Sequence, residues 1–265
     1  MPVSRTFHDL TVIALDDGEG PFFEPREDAF PDADQWAEAD RRDPGSVRDG
    51  GWWLRFRCFA LRWPSGRVTM IDAGIGSATA PAKGWAPVPG RLPAELDAAG
   101  ISPDDVDTVV LTHMHTDHIG WSMDEAGEVY FGRARYLLQR DEIAAIDERS
   151  PGLAEWLLAP LRATDQLSPV DGDLVLGDGV RVVATPGHTP GHQSVLLESG
   201  DETLVVTGDL LVHVLQLIDP ALGYTHEDDQ ERARAARMSL LEQVTRRGPA
   251  ILATPHLGEA WVTYP

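Results

Sequence analysis

The stretch "THMHTDHIG", residues 112–120, places three histidines and an aspartate within six residues, although the whole chain has only nine histidines in 265 residues. At that frequency His-x-His-x-Asp-His arises by chance in roughly one such chain in a thousand, so the cluster is read as a site. Imidazole nitrogen and carboxylate oxygen are metal ligands, and the chemistry they imply together is that of a bound divalent cation. In an extended chain alternate side chains share a face, so His113 and His115 can grip one ion from one side. Asp117 and His118 follow where the chain turns and aim at a neighbouring point. Four ligands so closely spaced do not fit one tetrahedral ion, which suggests two metals and further ligands elsewhere.

Those ligands are present at the ends of apolar runs. "ATPGHTPGHQS" offers His188 and His192, "VVTGDLL" offers Asp209, and "ILATPHLGE" offers His256. Each has the same form, an apolar strand followed by a polar side chain on a Gly- or Pro-shaped turn. "VDTVVLTH" runs in the same manner into the histidine cluster.

The elements that must position these residues read as an alternation of strands and helices. "LTVIAL" (10–15) is a strand. "WWLRFRCFALRW" and "RVTMIDAG" form a hairpin about Pro64-Ser65-Gly66. Further strands are expected at "RARYLLQ", "LVLGDGVRVVATP", "HQSVLLES" and "DETLVVTGD". Helices are expected at "RLPAELDAAG", ending with Gly100 at the C′ position, at 139–148, at 153–162 and from about Glu227 to Arg247. Residues 17–50 are too long for a passive connection and read as a lid or arm; 74–92 form a second long loop. No internal repeat interrupts this layered α/β pattern.

Composition sets the outer limits. The 43 acidic and 22 basic residues give a formal charge of −21, and Lys83 is the sole lysine. Such a field disfavours nucleic acid and highly anionic substrates. Cys58 is the one cysteine, so an intrachain disulfide is excluded. The first twenty residues lack a signal-peptide core, and no stretch approaches 18 consecutive apolar residues; the expectation is a cytoplasmic protein with no membrane partner.

With these ligands in this order, the chain resembles the metallo-β-lactamase-fold hydrolases from "IDAG" near residue 71 to His256. The resemblance implies an α/β, αββα four-layer sandwich, taken as a single domain over 1–265 with the lid at 17–50. It implies two zinc ions per chain. His113, His115 and His188 match the ligands of the first, Asp117, His118 and His256 those of the second, and Asp209 the bridging carboxylate; Asp72 matches an aspartate behind the ligands. An aspartate at 209 in place of cysteine argues against lactam hydrolysis. His115 stands where the diiron members carry Glu. Within the family, "GDLLVHVLQL" is similar to a branch of acyl-homoserine lactonases and organophosphate hydrolases, which places His213 and Gln216 at the substrate pocket. Val212 stands where other lactonases have a tyrosine. His192 matches a supporting histidine, and His8 and His226 are read as surface residues.

The implied reaction is cleavage of a small neutral carboxylic ester or lactone by a metal-bridging hydroxide, with Asp117 passing the proton to the leaving group. The alternatives are a thioesterase of the glyoxalase II kind, a phosphotriesterase, or a metal-binding protein without turnover. Phe22, Phe23, Phe30, Trp36 and Trp85 would wall an apolar pocket or, equally, pack a homodimer interface or the core.

Overall fold

Runs rich in Val, Ile and Leu favour extended backbone because branched side chains pack well on a pleated surface, and these runs become the strands of two sheets in the computed structural model, which describes residues 2–265. By its contacts the chain divides into two units, Met1–Gly18 with Phe56–Asp171, and Glu19–Arg55 with Gly172–Pro265.

The first sheet contains β1 (Val3–Phe7), β2 (Leu10–Pro21), β3 (Val47–Arg48), β4 (Gly51–Arg62), β5 (Val68–Ile71), β6 (Val106–Val110), β7 (Arg135–Gln139) and β8 (Leu167–Val170). Its order is β1-β2-β4-β5-β6-β7-β8, with β3 paired to β4. β4 and β5 are the expected antiparallel hairpin, with Gly66 at φ 88° supplying the turn. From β5 to β8 the strands run parallel. Ile71 is level with Val110, so the segments after them, Asp72–Gly76 and Leu111–His118, leave the sheet side by side. Open parallel sheets present their chemistry at the carboxyl ends of the strands in this way. Beneath lies an apolar core of Leu15, Cys58, Met70, Val109, Phe131, Tyr136 and Leu161, among others, and the helix Arg140–Arg149 packs on β7 and β8.

The second unit carries a sheet of β9 (Leu174–Gly177), β10 (Val180–Ala184), β11 (Gln193–Ser199), β12 (Glu202–Val206), β13 (Ala250–Ala253) and β14 (Trp261–Tyr264), in the order β14-β13-β12-β11-β10-β9. Only β12 and β13 pair in parallel among its described strands, with Val206 level with Ala253. Their ends lead to Asp209 and His256 together, the same device as in the first sheet. The helix Gln230–Thr245 packs on β12; Asp229 caps it by accepting from the Arg232 N–H.

From that helix the fully buried Arg237 ties down the segment after Asp209. Its guanidinium donates to the carbonyls of Leu210, Pro220 and Leu222 at 3.0, 2.8 and 2.7 Å, and to Glu227 Oε1 at 2.8 Å. Removing one member of a buried ion pair strands the other. Arg237→Leu is therefore expected to destabilise the protein by about 3–5 kcal/mol in urea unfolding, whereas the exposed Arg234→Leu changes stability by no more than ~0.5 kcal/mol.

Two sequence expectations change. "LVLGDGVRVVATP" is a hairpin rather than one strand, because Gly179, at φ 70°, turns the chain between β9 and β10. The segment read as a lid from residue 17 begins as strand, since β2 continues to Pro21; beyond it lie the short helices Arg26–Ala29 and Trp36–Arg42. Strands β1, β3, β8 and β14 were not expected. Among the described residues no helix is long and apolar enough to cross a membrane.

Candidate metal centre

In the first unit the chain leaves β6 and reaches the short helix Thr116–Ile119 in five residues. His113, Asp117 and His118 are buried and His115 is partly exposed. His113 and His115 lie beyond the end of the strand, yet their rings remain neighbours, with centroids 4.6 Å apart and planes at 81°. The His113 and His118 rings are 4.2 Å apart. Asp72 lies behind them with backbone φ 62°, a left-handed conformation uncommon for a non-glycine residue. Its Oδ1 accepts from the Thr112 N–H at 2.7 Å, and its Oδ2 from the Thr112 hydroxyl at 2.9 Å and His118 Nδ1 at 2.8 Å. A proton held on Nδ1 leaves the Nε2 lone pair of His118 for a metal, and Nε2 lies 3.6 Å from Asp117 Oδ2. The Met114 N–H, between the two histidines, donates to the buried Glu142 at 3.0 Å.

The second unit brings together His188, Asp209 and His256, all buried. Asp209 Oδ2 is 3.2 Å from His188 Nε2 and Oδ1 is 3.0 Å from His256 Nε2, so each carboxylate oxygen faces a different imidazole. His256 Nδ1 donates to the Arg55 carbonyl at 2.7 Å, which fixes its tautomer. His192 is committed to support: its Nε2 accepts from the Asp209 N–H at 2.9 Å and its Nδ1 faces the Thr185 carbonyl at 3.1 Å. Gly187, at φ 138°, lets the His188 turn approach the helix, since a Cβ there would sit 2.1 Å from Ala233 N.

His213 and Gln216 are buried in the same unit. The Gln216 amide is engaged with structure, its oxygen accepting from the Val212 N–H at 2.8 Å and its nitrogen donating to Glu227 at 3.3 Å. The His213 ring lies among Phe30, Trp36 and Trp52, with centroids 5.4, 5.8 and 5.2 Å away. Its Nδ1 accepts from the Leu215 N–H at 3.2 Å, so the proton resides on Nε2. Burial first, then the nearby Arg26 charge, push the imidazole down from 6.5 to about 3, against a smaller opposing pull from Asp40. A depressed folded-state value means stability that is present above pH 6.5 and lost as the pH falls toward 3. Between pH 7 and pH 5 this one group is expected to remove about 2 kcal/mol of stability. His213→Asn, which keeps an acceptor for Leu215, should lose about that much less in urea melts over the same interval; an identical loss would sink the assignment.

One neighbour was missed in the sequence. Tyr224 lies parallel to the His188 ring at 6.1 Å, fifteen residues beyond Asp209, at a distance no spacing rule suggests. His226, expected on the surface, is partly buried and bonded to Glu24 at 2.7 Å. Trp85, from the second long loop, donates to the Thr116 hydroxyl at 3.0 Å.

The profile of the Metallo-beta-lactamase superfamily matches residues 57–256, and the chain belongs to that superfamily. Similar sequences include an N-acyl homoserine lactonase of Bacillus cereus, 33% identical over 116 residues, 44% of this chain and 42% of the relative. Another, from a Bacillus species, is 30% identical over 164 residues, 61% of this chain and 60% of the relative. The matches thus span between two fifths and three fifths of these relatives' length. Among solved structures, the hydrolase AbOPH of the beta-lactamase superfamily superposes with a TM-score of 0.80 at 24% identity, covering 100% of this chain and 97% of that one. The dizinc quorum-quenching lactonase AidC, bound to N-hexanoyl-L-homoserine, gives 0.79 at 22% identity, covering 96% and 90%. The fold is the metallo-β-lactamase fold, mixed α/β with two sheets, and lactonase relatives on a metallo-hydrolase fold support a hydrolase.

Proposed function

We propose that the chain is a dinuclear zinc hydrolase that cleaves a small neutral carboxylic ester or lactone. The observation that carries this reading is Asp209, whose two oxygens face two different imidazoles within one unit, the disposition a bridging carboxylate requires. The donors suit zinc. They are nitrogen-rich, and His118 and His256 each have the far ring nitrogen fixed by a carboxylate or carbonyl, as metal-bound histidines do. His113, His115 and His188 would hold one ion, Asp117, His118 and His256 the other, and Asp209 both.

When bound, such a pair supplies Lewis acidity toward a carbonyl oxygen and brings the pKa of water to about 7. Asp72 and the Arg55 carbonyl keep His118 and His256 in the tautomer that ligation needs. Asp117 takes the proton released by the attacking water and delivers it to the leaving oxygen. His213, neutral at physiological pH, presents a proton on Nε2 and is the pocket residue of this reading, while Gln216 supports the Val212 turn.

Lactone is favoured because the similar sequences are named N-acyl homoserine lactonases, and the net charge of −21 favours a neutral substrate. The experiment is a panel of lactones, aryl esters, thioesters and phosphotriesters, run on protein of known metal content. The expected result is about two zinc ions per chain and the highest kcat/KM on lactones or esters. One metal or fewer at saturation sinks the dinuclear centre, and a faster thioester or phosphotriester moves the substrate to that class.

A further inference from the structure

Strand β2 carries adjacent aspartates with opposite fates. Asp16 faces outward to Arg57 at 2.8 Å, whereas Asp17 is fully buried. Asp17 Oδ2 accepts from the Ile75 N–H at 2.6 Å and the Gly76 N–H at 3.5 Å; Oδ1 accepts from the Leu92 N–H at 2.6 Å and Trp121 Nε1 at 3.1 Å. Its backbone carbonyl accepts from the Arg91 N–H at 2.7 Å. The fit around the carboxylate is close: a Cβ on Gly74 or Gly90 would lie 2.1 or 2.2 Å from its oxygens.

The segments so held bound the ligand helix. The Ala73 N–H donates to the His118 carbonyl at 2.6 Å, the Gly120 N–H to the Gly74 carbonyl at 2.7 Å, and the Trp121 N–H to the Ala73 carbonyl at 2.7 Å. The turn that starts with Asp72, the partner of the His118 ring, is thus clasped to the backbone at 118–121. Asp17 bonds both sides of the clasp, Ile75 on one and Trp121 on the other.

We propose that Asp17 is a positioning residue for Asp117 and His118: its carboxylate holds the Asp72–Gly76 turn against the ligand helix and so fixes where those two side chains sit. The inference rests on the proposed role of Asp117 and His118 as metal ligands. Among the described residues no cation bonds the carboxylate, and its donors are N–H groups of backbone and indole. Burial accordingly raises its pKa to about 6 despite them, and Asp17, Asp72 and Asp16 together add to the burial that pushes the Cys58 thiol up. A group kept there against such a penalty is held for the backbone donors it satisfies.

Asp17→Asn tests this, because an amide –NH2 would confront the N–H groups of Ile75 and Gly76. Hydrogen exchange on the metal-free variant should quicken about tenfold or more at residues 73–76 and 117–121, while β7 and β8 keep wild-type protection. In chelator competition on the loaded protein, one of the two ions should be released about 10–100-fold more readily and the other at the wild-type rate. Trp121→Phe, which deletes one donor, should show a smaller change in the same places, and it carries the test if the asparagine variant does not fold. Uniform loss of protection across the unit, or unchanged exchange at 117–121, overturns the proposal. Wild-type protein that binds no metal overturns the proposed function instead, and the metal-free exchange experiment still decides the role of Asp17.

Discussion

Asp209→Ala is expected to lower the content of both metals and to reduce kcat/KM by more than the roughly 10- to 100-fold that loss of an outer partner costs. Each carboxylate oxygen faces one imidazole, at 3.2 Å for His188 and 3.0 Å for His256, so one substitution deprives both of their shared neighbour. The turn itself should survive. It is held by the backbone N–H of residue 209 on His192 Nε2, which alanine retains. Elemental analysis and circular dichroism on the same preparation then separate loss of ligand from loss of fold. His256→Ala is the comparison, since it should deplete one ion more than the other. Full metal content and rate in Asp209→Ala would remove Asp209 from the bridging position.

Asp117→Asn is expected to keep both metals and near-normal substrate binding while kcat falls by ~10²–10⁴, the range for a positioned acid–base. Asparagine preserves shape and can offer an oxygen, but it carries no charge and accepts no proton at neutral pH. Asp117 is buried, with Oδ2 3.6 Å from His118 Nε2. The loss should be larger for alkyl esters, whose alkoxide must be protonated on leaving, than for aryl esters or thioesters. Equal losses for good and poor leaving groups, with both metals present, would leave Asp117 as a ligand only.

What was legible in the chain follows from how local each feature is. The group His113, His115, Asp117 and His118 occupies six residues, and the strand feeding it is a continuous apolar run. His188, Asp209 and His256 are distant from one another, but each repeats the same strand-and-turn form, which exposed them. Asp17 shows the opposite case. Its donors come from positions 58, 59, 75 and 104 residues away, so in sequence it reads as the polar end of an apolar run. Arg237 was hidden likewise, as one of several arginines on an apparently polar helix. The aromatic residues of the arm divided by burial. Phe30 packs into the interior against Trp52, His213 and Tyr224, whereas Phe23 remains exposed, a distinction no single-residue preference contains.

Each unit is built from two separated lengths of chain, and this sets an order for its biosynthesis. Domains fold as units while the polypeptide is made from its amino terminus. The first unit has all its strands once residue 171 has emerged from the ribosome, and with them the histidine cluster at 113–118. Residues 19–55 emerge earlier but must wait for 172–265 before the rest of their unit exists. During that interval Phe22, Phe23, Phe30 and Trp52 are without the Tyr224 and His226 rings they later meet. A released chain that ends near residue 175 should therefore be protease-resistant at 56–171 and cleavable at 19–55.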